Sequence, residues 1–306
     1  MNVSRRDFLK FCGISAATLG LSAADMFRLK EVLASPNSPP VIWLQGSACT
    51  GCSVSFLNRI STTAPVTVAD LLTNPSATQS INLIYHPNIM ALAGESAVAV
   101  AEKSYAKGGY ILAVEGGVPT NYGGAACWAW SKSNQDITFQ QVILDYSKRA
   151  AAVLSVGTCS SFGGIPAAPP NPTGVKSIKA VTGKTTINIA GCPPHPDWIV
   201  WAVAQLLLGN SISLDSNGRP RSLFRETVHD ECPREETEEA STFGVDKRCL
   251  RALGCRGPET RANCPQGRWN GGANWCIDAN APCLGCTNPN FPDPQPFYQR
   301  MPRVDD

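Results

Sequence analysis

The stretch Val41-Ile-Trp-Leu-Gln-Gly-Ser-Ala-Cys49-Thr-Gly-Cys52 joins a short apolar run directly to a pair of cysteines. Its first four residues read as a buried strand. The same grammar recurs at Val66 to Ala69, Ile81 to Tyr85, Tyr110 to Val114, Ala152 to Val156 and Thr186 to Ala190, with helical patterns between. Continuous apolar strands separated by helices predict an α/β fold, a parallel sheet covered on both faces. In such a sheet ligands gather outside the carboxyl ends of the strands. Cys49 and Cys52 follow the first strand, Glu115 caps the Tyr110 strand, Cys159 comes three residues after Val156, and Cys192 three after Ile189. Four cysteines far apart in sequence are therefore expected at one edge.

Helix starts should add to the electrostatics of that edge. Ser53 to Arg59 is expected to be helical directly after Cys52, and Asp197 is expected to cap the apolar helix Trp198 to Leu208, which Gly209 closes. Helix N-termini carry partial positive charge and favour thiolate over thiol.

The chain has thirteen cysteines. Eleven of them and His229 form three sets of four: Cys49, Cys52, Cys159 and Cys192; His229, Cys232, Cys249 and Cys255; Cys264, Cys276, Cys283 and Cys286. Four thiolates are the usual ligand set of a 4Fe-4S cube, and an imidazole can replace one. Two other readings use the same residues. A disulfide framework is one, although 306 residues bury an ample core without many staples. Zinc is the other, because four cysteines, or three and a histidine, also bind it. Cys12 and Cys127 are left over, and Cys127 beside Trp128 reads as a small apolar packing residue.

Beyond about residue 210 the composition turns to Cys, Gly, Pro, Asn and Trp with little periodicity. Such a segment cannot build a large apolar core of its own and depends on staples or metals. The expected organisation is a leader over 1–34, an α/β domain over 35–209 and a cysteine-rich domain over 210–306. The leader reading rests on Ser4-Arg-Arg-Asp-Phe-Leu-Lys10, the apolar run Phe11 to Ala24 and the small-residue site Val32-Leu-Ala34. This resembles a twin-arginine export signal, and implies cleavage after Ala34 and release of a folded protein into the periplasm. The apolar run is shorter than the roughly 18 residues of a spanning helix, and the C-terminal end has no apolar run, so no membrane anchor is expected. The formal net charge is +2, and loss of five basic and three acidic residues with the leader brings it to zero. A nucleic-acid surface needs a basic excess and is not expected.

Taken together, these residues resemble the small subunit of nickel-iron hydrogenases. The matching pieces are Cys49-Thr-Gly-Cys52, Glu115-Gly-Gly-Val-Pro119, Gly157-Thr-Cys159, Gly191-Cys-Pro-Pro194, His229-Asp-Glu-Cys232, Leu253-Gly-Cys255, Trp269-Asn270 and Cys283-Leu-Gly-Cys286, with the export signal before them. The resemblance implies a flavodoxin-like domain followed by an irregular cluster-binding domain. It implies that Cys49, Cys52, Cys159 and Cys192 hold a proximal cluster nearest a nickel-iron site in a separate large subunit. His229, Cys232, Cys249 and Cys255 would hold a distal cluster near the surface, and Cys264, Cys283 and Cys286 a medial one. The chain would pass electrons to an external carrier, a cytochrome, and would hold no hydrogen-splitting residue itself. Many relatives have Pro where this chain has Cys276 and carry a 3Fe-4S medial cluster. The extra thiolate here resembles the nickel-iron-selenium branch and implies three 4Fe-4S cubes. Oxygen-tolerant relatives carry two more proximal cysteines, where this chain has Gly51 and Gly164.

Other residues read more plainly. His86 and His195 are expected to be satisfied packing groups. Glu115 is either a proton relay or a loop-fixing carboxylate. Asp230, Glu231, Glu235, Glu236, Glu238 and Glu239 read first as a solvated face, and alternatively as a surface that attracts a positively charged carrier. Two competing functions are a respiratory subunit related to the quinone-site subunit of NADH dehydrogenase, and an exported disulfide-stapled binding protein, which would be colourless.

Overall fold

The structure, a computed structural model, describes residues 38–59, 81–245, 247–292 and 297–300, with isolated positions between 22 and 31. The export signal, Cys12 and the strand expected at Val66 to Ala69 lie outside the described residues. The core of the fold is a parallel sheet of β1 (Val41–Gln45), β2 (Leu83–Tyr85), β3 (Ile111–Glu115), β4 (Ala152–Val156) and β5 (Ile187–Ile189). The spatial order is β2-β1-β3-β4-β5, and every neighbouring pair is parallel. This is the flavodoxin-like doubly wound order, with its switch point between β1 and β3.

Alternation along each strand sorts the side chains into two cores, because successive residues point to opposite faces. Val41, Trp43, Ile111, Ala113, Leu154, Val156 and Ile189 face one side, while Ile42, Leu44, Leu112, Val114 and Val153 face the other. The first side is covered by α1 (Gly51–Leu57) and by the long apolar helix Pro196–Leu207, and the second by α2 (Gly94–Lys107) and α3 (Phe139–Arg149). Between these come α4 (Thr158–Phe162) and α5 (Ile178–Thr182), so the Pro196–Leu207 helix is α6. It buries Trp198, Ile199, Val200, Trp201 and Leu207, each contributing about 1.5–3 kcal/mol.

Strand register fixes where the chain leaves the sheet. Gln45 pairs with Glu115, Glu115 with Val156, and Val156 with Ile189. The loops after β1, β3, β4 and β5 therefore start side by side. After residue 210 the regular elements are two short 3-10 turns and α7 (Cys264–Gly267) among the described residues. The irregular grammar of that segment is observed, and its apolar residues pack on the rest of the fold. Leu223, Phe224, Val228, Leu250, Ala262, Trp275 and Ile277 join the same apolar cluster as α6 and the sheet. A segment too poor in apolar residues for its own core uses the exposed side of a neighbouring helix. No described helix is long and apolar enough to cross a membrane.

Candidate metal centres

The first set assembles as the strand ends dictate. Cys52 lies in the first turn of α1, Cys159 in the first turn of α4, and Cys192 follows β5 by three residues. Burial pushes the Cys52 thiol well up, and the charges of Glu115, Cys159, Cys49 and Cys192 push it further. Cys159 is raised to about 12, first by burial and then by Cys192 and Cys49. Cys192 is raised by burial and by Cys49. The four sulfurs thus feel one another across a shared space. Two glycines permit the approach: a Cβ on Gly157 would stand 2.5 Å from Cys52 Sγ, and one on Gly164 3.0 Å from Cys159 Sγ. Val54 and Leu57 on α1 and Ile165 just after α4 are exposed apolar residues, and Cys49 is exposed as well.

Glu115 closes the floor of this site. Its carboxylate is 1 % exposed and accepts the backbone N–H groups of Cys52 at 3.0 Å and Ser53 at 3.2 Å, binding α1 to the end of β3. Leaving a buried carboxylate unpaired costs several kcal/mol, so this arrangement strongly fixes the Cys49–Cys52 loop.

The second set lines one small cavity, where His229, Cys232, Cys249 and Cys255 meet beneath Val228 and Leu250. Cys232 and Cys255 are both raised, by burial first, and Cys249 adds to each. Backbone amides point at two of these sulfurs: Arg234 N–H at Cys232 Sγ and Cys283 N–H at Cys255 Sγ, both 3.4 Å. The third set is coupled in the same way. Burial and Cys283 raise Cys264 to about 12, against an opposing hydrogen bond donated by the Trp269 side chain. Burial and Cys264 raise Cys286 to about 12. Cys276 contributes to both of these shifts and is the exposed member of the set.

Adjacent sets touch in series. The Cys192 backbone N–H donates to the Cys286 sulfur, and Thr158 Oγ donates to the Cys286 carbonyl at 2.5 Å, which ties the first set to the third. The Cys283 amide on Cys255 ties the third to the second. The order through space is first, third, second.

All twelve described cysteines are free thiols. Among the described residues no three His, Cys, Asp or Glu close around a single metal ion. The donor chemistry fits iron–sulfur clusters: soft ligands in fours, mostly withdrawn from solvent with one exposed member in the first and third sets, mutually repelling as thiolates, and met by backbone N–H donors. A cationic centre would relieve that repulsion and take the protons off.

Three expectations need correction. Asp197 does not cap α6; the helix begins at Pro196 and the His195 ring accepts the Asp197 N–H at 3.1 Å. The proline brings the helix start forward one turn position, and His195, 5 % exposed, is the satisfied packing group expected. α1 begins at Gly51, two residues earlier than expected. The Cys52, Cys159 and Cys192 thiols, expected to be lowered, are all raised, by burial first. Sequence reasoning also missed Ser53 and the role of His86, which hydrogen-bond at the floor of the first set. The signal was available for His86, because it directly follows a predicted strand.

A doubly wound sheet that delivers four thiols to one edge, continued by two more ligand sets in series, defines the class of iron–sulfur electron-transfer subunits. Residues 224–299 match the family model for the C-terminal region of the NiFe/NiFeSe hydrogenase small subunit. Residues 49–206 match the family described as NADH ubiquinone oxidoreductase, 20 Kd subunit, which accounts for the respiratory likeness of the first motif. The periplasmic [NiFeSe] hydrogenase small subunit of Desulfomicrobium baculatum is 38% identical, over 97% of this chain and 99% of that one. The periplasmic [NiFe] hydrogenase small subunit of Solidesulfovibrio fructosivorans is 39% identical, over 97% and 93%. The crystal structure of the reduced, active Ni-Fe-Se hydrogenase from Desulfomicrobium baculatum superposes with a TM-score of 0.78, at 38% identity, over 87% of this chain and 100% of that chain. The chain belongs to the NiFe/NiFeSe hydrogenase small-subunit family. It is the small subunit of a heterodimeric oxidoreductase acting on hydrogen, and its partner is a large subunit.

Proposed function

We propose that the three ligand sets each hold one 4Fe-4S cluster and that this chain carries electrons between the nickel-iron site of the large subunit and an external carrier. Cys49, Cys52, Cys159 and Cys192 hold the proximal cluster, Cys264, Cys276, Cys283 and Cys286 the medial one, and His229, Cys232, Cys249 and Cys255 the distal one. Bound clusters supply one-electron storage; the chain's residues supply ligation, spacing and exclusion of water. The observation that carries the reading is the serial contact, Cys192 to Cys286 and Cys283 to Cys255, which orders three separate sets into a path. Residues 35–209 form the proximal domain and residues 210–306 the medial and distal one. The large subunit docks over exposed Val54, Leu57, Ile165 and Cys49. The leader sends the folded protein to the periplasm by the twin-arginine route, in keeping with the periplasmic relatives, and a cytochrome takes the electrons there.

Metal analysis of the purified heterodimer tests the reading, with about twelve iron and twelve acid-labile sulfide expected in this chain. Cys276→Pro should then convert one cube to a 3Fe-4S cluster with a new signal in the oxidised protein. Stoichiometric zinc without iron would overturn the assignment, and an unchanged spectrum would remove Cys276 from it.

A further inference from the structure

The floor of the first set contains a hydrogen-bond network whose proton directions follow from its donor and acceptor partners. Five groups reach Glu115, and all are donors. Cys52 N–H meets Oε1 at 3.0 Å. Trp43 Nε1–H at 3.2 Å, Gln45 Nε2–H at 3.0 Å, Ser53 N–H at 3.2 Å and the Ser53 hydroxyl at 2.5 Å meet Oε2. A serine hydroxyl has one proton and two lone pairs. Gln45 Nε2 at 2.8 Å and His86 Nε2 at 3.1 Å fill those lone pairs, so the Ser53 proton points at Glu115. The histidine tautomer follows from its other side, where Asn88 N–H donates to Nδ1 at 3.2 Å and leaves the ring proton on Nε2.

This arrangement cannot shuttle protons past His86. A relay through an imidazole needs one nitrogen to receive a proton as the other releases one, and Nδ1 is already occupied by a backbone amide. The network holds a charge in place instead. Of the two readings of Glu115, loop-fixing carboxylate and relay, the geometry favours the first.

We propose that His86 is a positioning residue for the proximal cluster: Glu115 is a fixed anion whose field lowers that cluster's reduction potential, and His86, by orienting and polarising the Ser53 hydroxyl, offsets part of that charge. The proposal rests on the reading that Cys49, Cys52, Cys159 and Cys192 bind a cluster. A carboxylate beside a ligand sulfur disfavours an added electron, because net charge and hydrogen bonding set cluster potentials. The upward push of Glu115 on the Cys52 thiol supports the claim that its charge reaches that sulfur. His86 polarises the Ser53 hydroxyl and strengthens its bond to Glu115. Loss of that donor leaves more negative charge facing the site, so the potential falls.

The test is a potentiometric titration of the purified heterodimer, followed by cluster spectroscopy. His86→Phe keeps a ring against Trp43, now 5.2 Å away, but has no donor. One of the three cluster potentials should shift downward with iron content unchanged. His86→Gln restores an N–H and should bring the potential back toward wild type. Glu115→Gln removes the anion and should shift the same cluster upward. If His86→Phe loses iron, Ser53→Ala replaces it as the probe, with a downward shift again expected. Full iron with all potentials unmoved, or a fall on Glu115→Gln, overturns the proposal. A wild-type protein without iron overturns the cluster reading instead.

Discussion

A histidine sealed beneath the first set of thiols reports its environment through pH as well as potential. Burial pushes His86 from the ordinary 6.5 down to about 4. The unfolded chain takes up the proton near pH 6.5, whereas the folded protein resists until about 4. The stability tied to the neutral ring is therefore complete above pH 6.5 and is lost as pH falls toward 4, by about 3 kcal/mol in all. Anaerobic denaturation at pH 7 and pH 5 should show His86→Phe losing less stability over that interval than wild type, by about 2 kcal/mol. Equal losses would mean that the ring is not held neutral. At this scale the candidate ligands could be picked out from the sequence and their supports could not. Cysteines and His229 declare themselves by residue type and spacing, but Ser53 acquires its partners only when β2 and β3 bring His86 and Glu115 to it. His86 was within reach, since the rule that ligands gather after strand ends also applies to the Ile81 to Tyr85 strand.

Elements convert that chemistry into geometry through their ends. Gly157 joins β4 to α4 with φ 91° and ψ 161°, a conformation almost confined to glycine, which costs another residue about 1–3 kcal/mol. Its missing side chain also makes room for Cys52 Sγ, which a Cβ would approach to 2.5 Å. Gly157→Ala should destabilise the protein by roughly that amount and lower its iron content by up to one third. Gly94→Ala, with open space around the added carbon, controls for the backbone effect alone. Full iron in Gly157→Ala would show that the site tolerates a displaced Cys52. Strand positions were readable because unbroken apolar runs have one parallel-sheet solution, and the edge where they end followed from it. The start of α6 was misread because Pro196 and His195 together make a cap that a preference for Asp does not anticipate.

At the scale of the molecule the three sets touch in series, and an acidic stretch lies beside the second. The series was not legible from spacing, because the third set in sequence lies between the other two in space, a consequence of the Cys192 to Cys286 and Cys283 to Cys255 contacts. The acidic face belongs to the far end: Asp230, Glu231, Glu235, Glu236 and Glu238 are exposed, and the Glu235 charge reaches the Cys232 thiol. Part of that charge is internally spent, since Glu238 pairs with Arg248 at 3.4 Å and Glu239 with Arg300 at 3.2 Å. Exposed pairs of this kind contribute little to stability, so the surplus at Glu235 and Glu236 is better explained by attraction than by folding. Long-range attraction speeds encounter and is screened by salt, with a reach near 10 Å at 0.1 M and 3 Å at 1 M. Reversing both charges to lysine should therefore slow reduction of a basic cytochrome about tenfold at low ionic strength, and the difference should vanish near 1 M salt. Hydrogen–deuterium exchange at the large subunit should stay unchanged, because it does not require electrons to leave. His229→Ala separates the two steps: it should slow exit to a cytochrome and to a small dye alike, at every salt concentration. A cytochrome rate indifferent to both salt and charge would place the docking surface elsewhere, while leaving the ligand sets as they are.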